Sequence, residues 1–158
     1  MAEKTPLKWK FTTGDSNISV SPVLSEDVVY FGSDDNHLYA LDSKTREEKW
    51  KFKTGDSIRS TPAVVDGVVY FGSYASWVNY LYAVDTKTGE EKWKFKTGDK
   101  VLSSPAVSDG VVYFGCSDKH LYALDTKIGK EKWKFKTEYP VYSSPTLSDG
   151  VVYFGSND

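Results

Sequence analysis

In EKWKFKT, near the C-terminal end of the chain, Trp133 and Phe135 alternate with Lys132, Lys134 and Lys136. That period of two predicts a strand with one apolar face and one charged face. Upstream, VVYFG at Val111 is apolar without interruption, which predicts a strand covered on both faces. HLYALD, between them, is of the same kind: Leu121 and Ala123 alternate with Tyr122 and Leu124, so both faces are apolar. Ahead of all three, SSPAVS (Ser103 to Ser108) predicts a first strand in which proline is confined to an edge or a strand start. Asp109-Gly110 then favours a type I′ two-residue hairpin into VVYFG. The two-faced fourth strand reads as an outer edge whose lysines stay in water and discourage edge-to-edge pairing.

The same four-strand phrase recurs along the chain. Trp9, Trp50, Trp93 and Trp133 are 41, 43 and 40 residues apart, and VVYFG begins at Val28, Val68, Val111 and Val151. Four strands per unit of about forty residues predict the blades of a β-propeller. An immunoglobulin-like sandwich also uses short strands, but it has no reason to repeat its sequence every four of them. The expected division is a leading outer strand in 1–15, blades in 16–56, 57–99 and 100–137, and a half-blade in 138–158, making 15 strands in all.

Composition narrows the function classes. The 158 residues are 39% hydrophobic and 27% charged, as in a globular chain able to bury a core. Twenty basic residues against 22 acidic ones leave a net charge of −2, which argues against nucleic acid and against a membrane surface as partners. The single Cys116 excludes an internal disulfide framework. The opening MAEKTP has no apolar stretch of a secretion signal, and no run is long enough to span a membrane, so localisation stays unknown.

AVDTKTGEEKW, Ala83 to Trp93, resembles the tryptophan-docking motif A-x-D-x-x-T-G-x-x-x-W of pyrroloquinoline-quinone-like (PQQ-like) repeats, found in quinoprotein dehydrogenases and in BamB-like scaffold propellers. ALDSKTREEKW departs from it at Arg46 and ALDTKIGKEKW at Ile128. The resemblance covers nearly the whole chain. It implies a ring of about eight blades, with Trp9, Trp50, Trp93 and Trp133 docked on the adjacent blade. Three blades and a fragment do not close such a ring. The favoured assembly is a dimer that exchanges strands at Trp9 and the C-terminal half-blade to complete an eight-position ring; the alternatives are an open or swapped assembly and a closed four-bladed monomer. Members of the family are often periplasmic or at the cell surface.

In a repeat protein, residues present in every blade are most economically structural, and departures are the candidates for function. Asp42, Asp85 and Asp125 share one repeat position, as do Asp66, Asp109 and Asp149, so paired carboxylates for acid–base catalysis are not expected. His37 and His120 are also equivalent, without the further ligands of a metal site. Cys116 stands where the other repeats have Ser33, Ser73 and Ser156, with no accompanying base. Quinoprotein dehydrogenases hold their quinone and Ca²⁺ near the propeller axis, and this chain lacks matching positions. The expectation is therefore no catalytic residue, no cofactor and no metal.

The clearest departure is SYASWVNY, which lengthens the loop after the second strand of the middle blade by three residues and adds Tyr74, Trp77 and Tyr80. Aromatic residues on loops are common recognition anchors. EYPVYSS, Glu138 to Ser144, is a weaker second departure. The leading reading is a non-catalytic scaffold or protein-interaction module, natural or an engineered piece of a larger propeller. The alternative is a degenerate quinoprotein enzyme domain without its own active site.

Overall fold

The structure is a computed structural model that describes residues 7–14 and 17–157; MAEKTP, Asp15, Ser16 and Asp158 lie outside the described residues. The described residues form fourteen strands and no helix. Blade 1 contains β1 (Val23–Ser25), β2 (Val28–Gly32), β3 (His37–Asp42) and β4 (Glu48–Lys53). Blade 2 contains β5 (Ala63–Val65), β6 (Val68–Gly72), β7 (Asn79–Asp85) and β8 (Glu91–Thr97). Blade 3 contains β9 (Ala106–Ser108), β10 (Val111–Cys116), β11 (His120–Asp125) and β12 (Glu131–Lys136). A half-blade of β13 (Thr146–Ser148) and β14 (Val151–Tyr153) follows. Every pairing is antiparallel between chain neighbours, so each blade is a simple meander.

Local chemistry sets the turns. Asp109 and Gly110 take φ of 49° and 73°, the two left-handed positions of a type I′ turn, and Asp66-Gly67 and Asp149-Gly150 do the same. In blade 1, Glu26 and Asp27 adopt this geometry without a glycine. Between the third and fourth strands, Asp85 Oδ1 accepts the backbone N–H of Lys87 and of Thr88, closing an Asx turn that ends on Gly89 at φ 72°. Arg46 occupies that glycine position at φ 70°. The register then shifts just before each motif tryptophan: Ala83 faces Trp93 while Val84 faces Glu91, leaving Lys92 as a bulge. Blades 1 and 3 carry the same bulge at Lys49 and Lys132, which re-aims the following tryptophan.

The inner strands are three residues long, shorter than SSPAVS read in sequence, because the Ser-Pro segment turns away to other partners. Ser103 bridges Gly115 by accepting its N–H at 2.7 Å and donating to its carbonyl at 2.9 Å, and Ser60 does likewise with Gly72. The entering chain packs Ile58, Val101 and Val141 against Gly32, Gly72 and Gly115, where a Cβ would overlap them. One core cluster joins blades 1 and 2, and another joins blades 2 and 3.

The leading segment differs from expectation. Leu7 to Thr13 forms no strand, because an outer strand pairs with the third strand of its own blade and none precedes it among the described residues. Its aromatic contacts nevertheless persist: Phe11 packs edge-on to Tyr39 and Phe31 at 5.6 and 6.2 Å, as Phe52 packs on Tyr82 and Phe71.

Candidate functional site

The repeated residues converge on the seams between blades. Trp50 donates its indole N–H to the Thr86 carbonyl at 2.9 Å and lies over Gly89, while its ring meets Tyr30 of its own blade at 5.8 Å. Trp93 repeats this arrangement with Thr126, Gly129 and Tyr70. Trp9 packs against the small cluster of Phe31, Tyr39 and Leu41. Trp133 differs: it is 43% exposed and, among the described residues, has no carbonyl partner, because the half-blade provides no third strand or following turn to receive it.

The acidic and histidine positions are structural in geometry. Asp42, Asp85 and Asp125 each cap their turn, and those backbone N–H groups hold all three carboxyls below their ordinary pKa. His37 and His120 place Nδ1 against the carbonyls of Asp35 and Asp118 at the start of the third strand. Cys116 is buried with Sγ 3.2 Å from the Asp99 carbonyl, and burial pushes its pKa up to about 12. Among the described residues, no three His, Cys, Asp or Glu side chains converge on one position. In EYPVYSS, Val141 is core, and Tyr139 and Tyr142 are about half exposed. The outer lysines form exposed pairs such as Lys94 with Glu91 at 3.3 Å, which contribute little.

The lengthened loop of blade 2 is a built structure. Tyr74 N–H donates to the Ser57 carbonyl at 2.8 Å, and its ring is met by both the Arg59 guanidinium at 4.4 Å and the Lys100 amino group at 4.6 Å. Arg59 is itself held by a two-point pair with Asp34 at 2.9 and 3.0 Å. Buried Asn79 closes the loop base, accepting the Ala75 N–H at 2.6 Å and donating to the Ala75 carbonyl at 3.1 Å. Tyr80 packs against Tyr82, with Lys94 over its ring at 5.4 Å. Trp77, at the tip, is 93% exposed. Trp77, Tyr80 and the loop base line a cleft of about 320 Å³ together with Gly55, Val78 and Tyr82.

Sequence reasoning passed over Asp35 and Asp118. Each lies three residues past the glycine of VVYFG, and each clamps one blade to the preceding chain. Asp118 Oδ2 accepts the Tyr122 hydroxyl at 2.7 Å and the Gly98 N–H at 3.0 Å; Asp35 Oδ2 accepts the Tyr39 hydroxyl at 2.7 Å and the Gly14 N–H at 3.2 Å. The corresponding residue of blade 2 is Ala75. Comparing this one position across the repeats would have exposed the difference.

A family model described as outer membrane protein assembly factor BamB matches residues 4–76 and 62–158. No curated protein matches the chain significantly. Among solved structures, BamB from Moraxella catarrhalis superposes with a TM-score of 0.82 at 19% identity, over 94% of this chain and 50% of that one. The computationally designed Ika4 protein gives 0.82 at 16% identity, over 94% and 90% of the two chains. A europium-containing methanol dehydrogenase gives 0.73 at 23% identity, over 85% and 27%. At these identities the likeness is one of fold. The chain spans half the length of the BamB structure and about a quarter of the dehydrogenase.

Proposed function

This chain belongs to the family of outer membrane protein assembly factor BamB, and from that premise we propose that it is a non-catalytic propeller scaffold that binds other polypeptides through its loop face. One observation carries the reading. The residues common to the blades are occupied in turns and blade seams, whereas blade 2 departs from the repeat to hold Trp77 93% exposed on a loop fixed by Asn79 and Tyr74. An exposed aromatic on a preorganised loop is the feature expected of a recognition anchor. A photo-crosslinking side chain placed at position 77, compared with one at the exposed Lys87 in the turn between the third and fourth strands, tests this. Discrete adducts specific to position 77 support the reading; the same adducts from both positions, or none, contradict it.

The scaffold reading includes pairing with a second copy of the chain. Trp133 and Phe135, 43% and 56% exposed, offer an uncovered seam at one end, and the aromatic leading segment lies at the other. Seams of this type are covered elsewhere in the molecule by the neighbouring blade. Light scattering should give twice the 17.7 kDa chain mass, and a mass of 17.7 kDa at all concentrations contradicts pairing.

A further inference from the structure

We propose that the cleft beneath Trp77 is a carboxylate-binding site that receives an acidic side chain from a partner polypeptide. The evidence is internal to the repeat. In blades 1 and 3, a tyrosine hydroxyl on the third strand and a glycine N–H from the preceding chain converge on one aspartate oxygen. Blade 2 retains both donors, as Tyr82 and Gly55, but carries Ala75 where the aspartate would be. Among the described residues, neither the Tyr82 hydroxyl nor the Gly55 N–H has a hydrogen-bond partner. Both border the cleft. The packing agrees: a Cβ on Gly98 would meet the Asp118 side chain at 2.7 Å, whereas one on Gly55 would have no neighbour within 4 Å.

The two donors are preorganised. Tyr82 is fixed by stacking on Phe71, with centroids 5.3 Å apart and planes at 13°, matching the Phe114–Tyr122 pair at 5.2 Å and 10°. Donors held in place for an anion avoid the ordering cost that a flexible site would meet on binding. Asp56 also lines the cleft, but its counterpart Asp99 directly follows Gly98, whose N–H donates to Asp118 in blade 3, so an aspartate at this position does not exclude a second carboxylate. Trp77 and Val78 also line the cleft, which fits an apolar residue next to the acid. The natural occupants of the matching positions are aspartate side chains on a polypeptide, which is why an acidic peptide segment, rather than a free acid, is the proposed ligand.

The inference rests on the loop being a recognition surface and specifies what it recognises. The test titrates the ¹⁵N-labelled chain with capped acetyl-Gly-Leu-Asp-Leu-Gly-amide, its Asp→Asn counterpart, and acetate. The Asp peptide should bind at least about tenfold more tightly than the Asn peptide, the usual discrimination for hydrogen bonds to a charged group. Its binding should move the Gly55 amide resonance downfield toward that of Gly98. Tyr82→Phe, which keeps the ring stack, should weaken binding by about tenfold. Ala75→Asp, which supplies an internal carboxylate, should abolish it. Equal binding of the two peptides, or binding unaffected by both substitutions, overturns the proposal. A Gly55 shift as large with acetate as with the Asp peptide at equal concentration overturns the polypeptide occupant. Position-77 crosslinks together with equal Asp and Asn binding would overturn the carboxylate assignment alone, whereas peptide discrimination without crosslinks would count against the broader scaffold reading.

Discussion

Replacing Trp93 by Ala should cost far more than replacing Trp133, although the two occupy the same repeat position. Trp93 is 9% exposed, and its indole N–H donates to the Thr126 carbonyl at 2.9 Å; Trp133 is 43% exposed and has no such partner among the described residues. A buried tryptophan removes about 200 Å² from water, which at ~25 cal/mol/Å² is about 5 kcal/mol as an upper bound. Scaling by burial leaves about 4.5 kcal/mol for Trp93 and about 3 for Trp133, and the hydrogen bond adds about 1 kcal/mol to the first alone. Trp93→Ala should therefore exceed Trp133→Ala by about 2.5 kcal/mol. Urea denaturation followed by far-ultraviolet circular dichroism measures it, provided the m-values match. Equal losses at a dilution where light scattering gives the 17.7 kDa single-chain mass would refute the assignment of the indole to the blade seam.

Three further outcomes follow from particular residues. Gly89→Ala should destabilise the chain by about 2 kcal/mol, since its Cβ would meet the Trp50 ring at 2.7 Å, whereas Arg46→Gly, relieving a left-handed non-glycine at φ 70°, should stabilise it by about 0.5–1 kcal/mol; urea midpoints read both. Asp35 is partly buried, which alone would raise its pKa, yet hydrogen bonds from Tyr39, Ser33 and Gly14 hold it below 3.8. Its contribution is present above pH 3.8 and is lost as pH falls through the lower folded value, so Asp35→Asn should flatten the acid limb of stability against pH in that window. Cys116, with its pKa pushed up to about 12 by burial, should resist a thiol reagent at pH 8 until urea unfolds the chain, and Cys116→Ser should change the midpoint by less than about 1 kcal/mol.

Much of the architecture was legible because it rests on short-range chemistry repeated several times. Alternating Trp, Phe and Lys define the outer strand, Asp-Gly pairs define the hairpins, and the forty-residue period identifies the blade. Elements that depend on distant partners were not legible. The segment at Trp9 carries an outer-strand pattern, but a ladder needs a third strand to receive it, so Leu7 to Thr13 forms none. Glu26-Asp27 shows no glycine signal, yet the paired strands on either side impose the same left-handed turn. Asp118 looks like an ordinary loop acid until the fold brings Gly98, twenty residues earlier, to its carboxylate. Ala75 escaped notice for the same reason: its meaning is the loss of a contact visible only in the neighbouring blades. Tyr74, Trp77 and Tyr80 were found because they break the repeat, but only the structure separates their roles, with Tyr74 met by two cations, Tyr80 packed on Tyr82 and Trp77 left in solvent.

The proposed division between residues that hold blades together and residues that recognise a partner is tested most directly by Trp77→Ala, measured for both stability and binding of the Asp peptide. With Trp77 93% exposed, the urea midpoint should stay within about 0.5 kcal/mol of the parent while peptide binding is lost. A midpoint that falls as far as for Trp93→Ala, with peptide binding intact, would contradict the account.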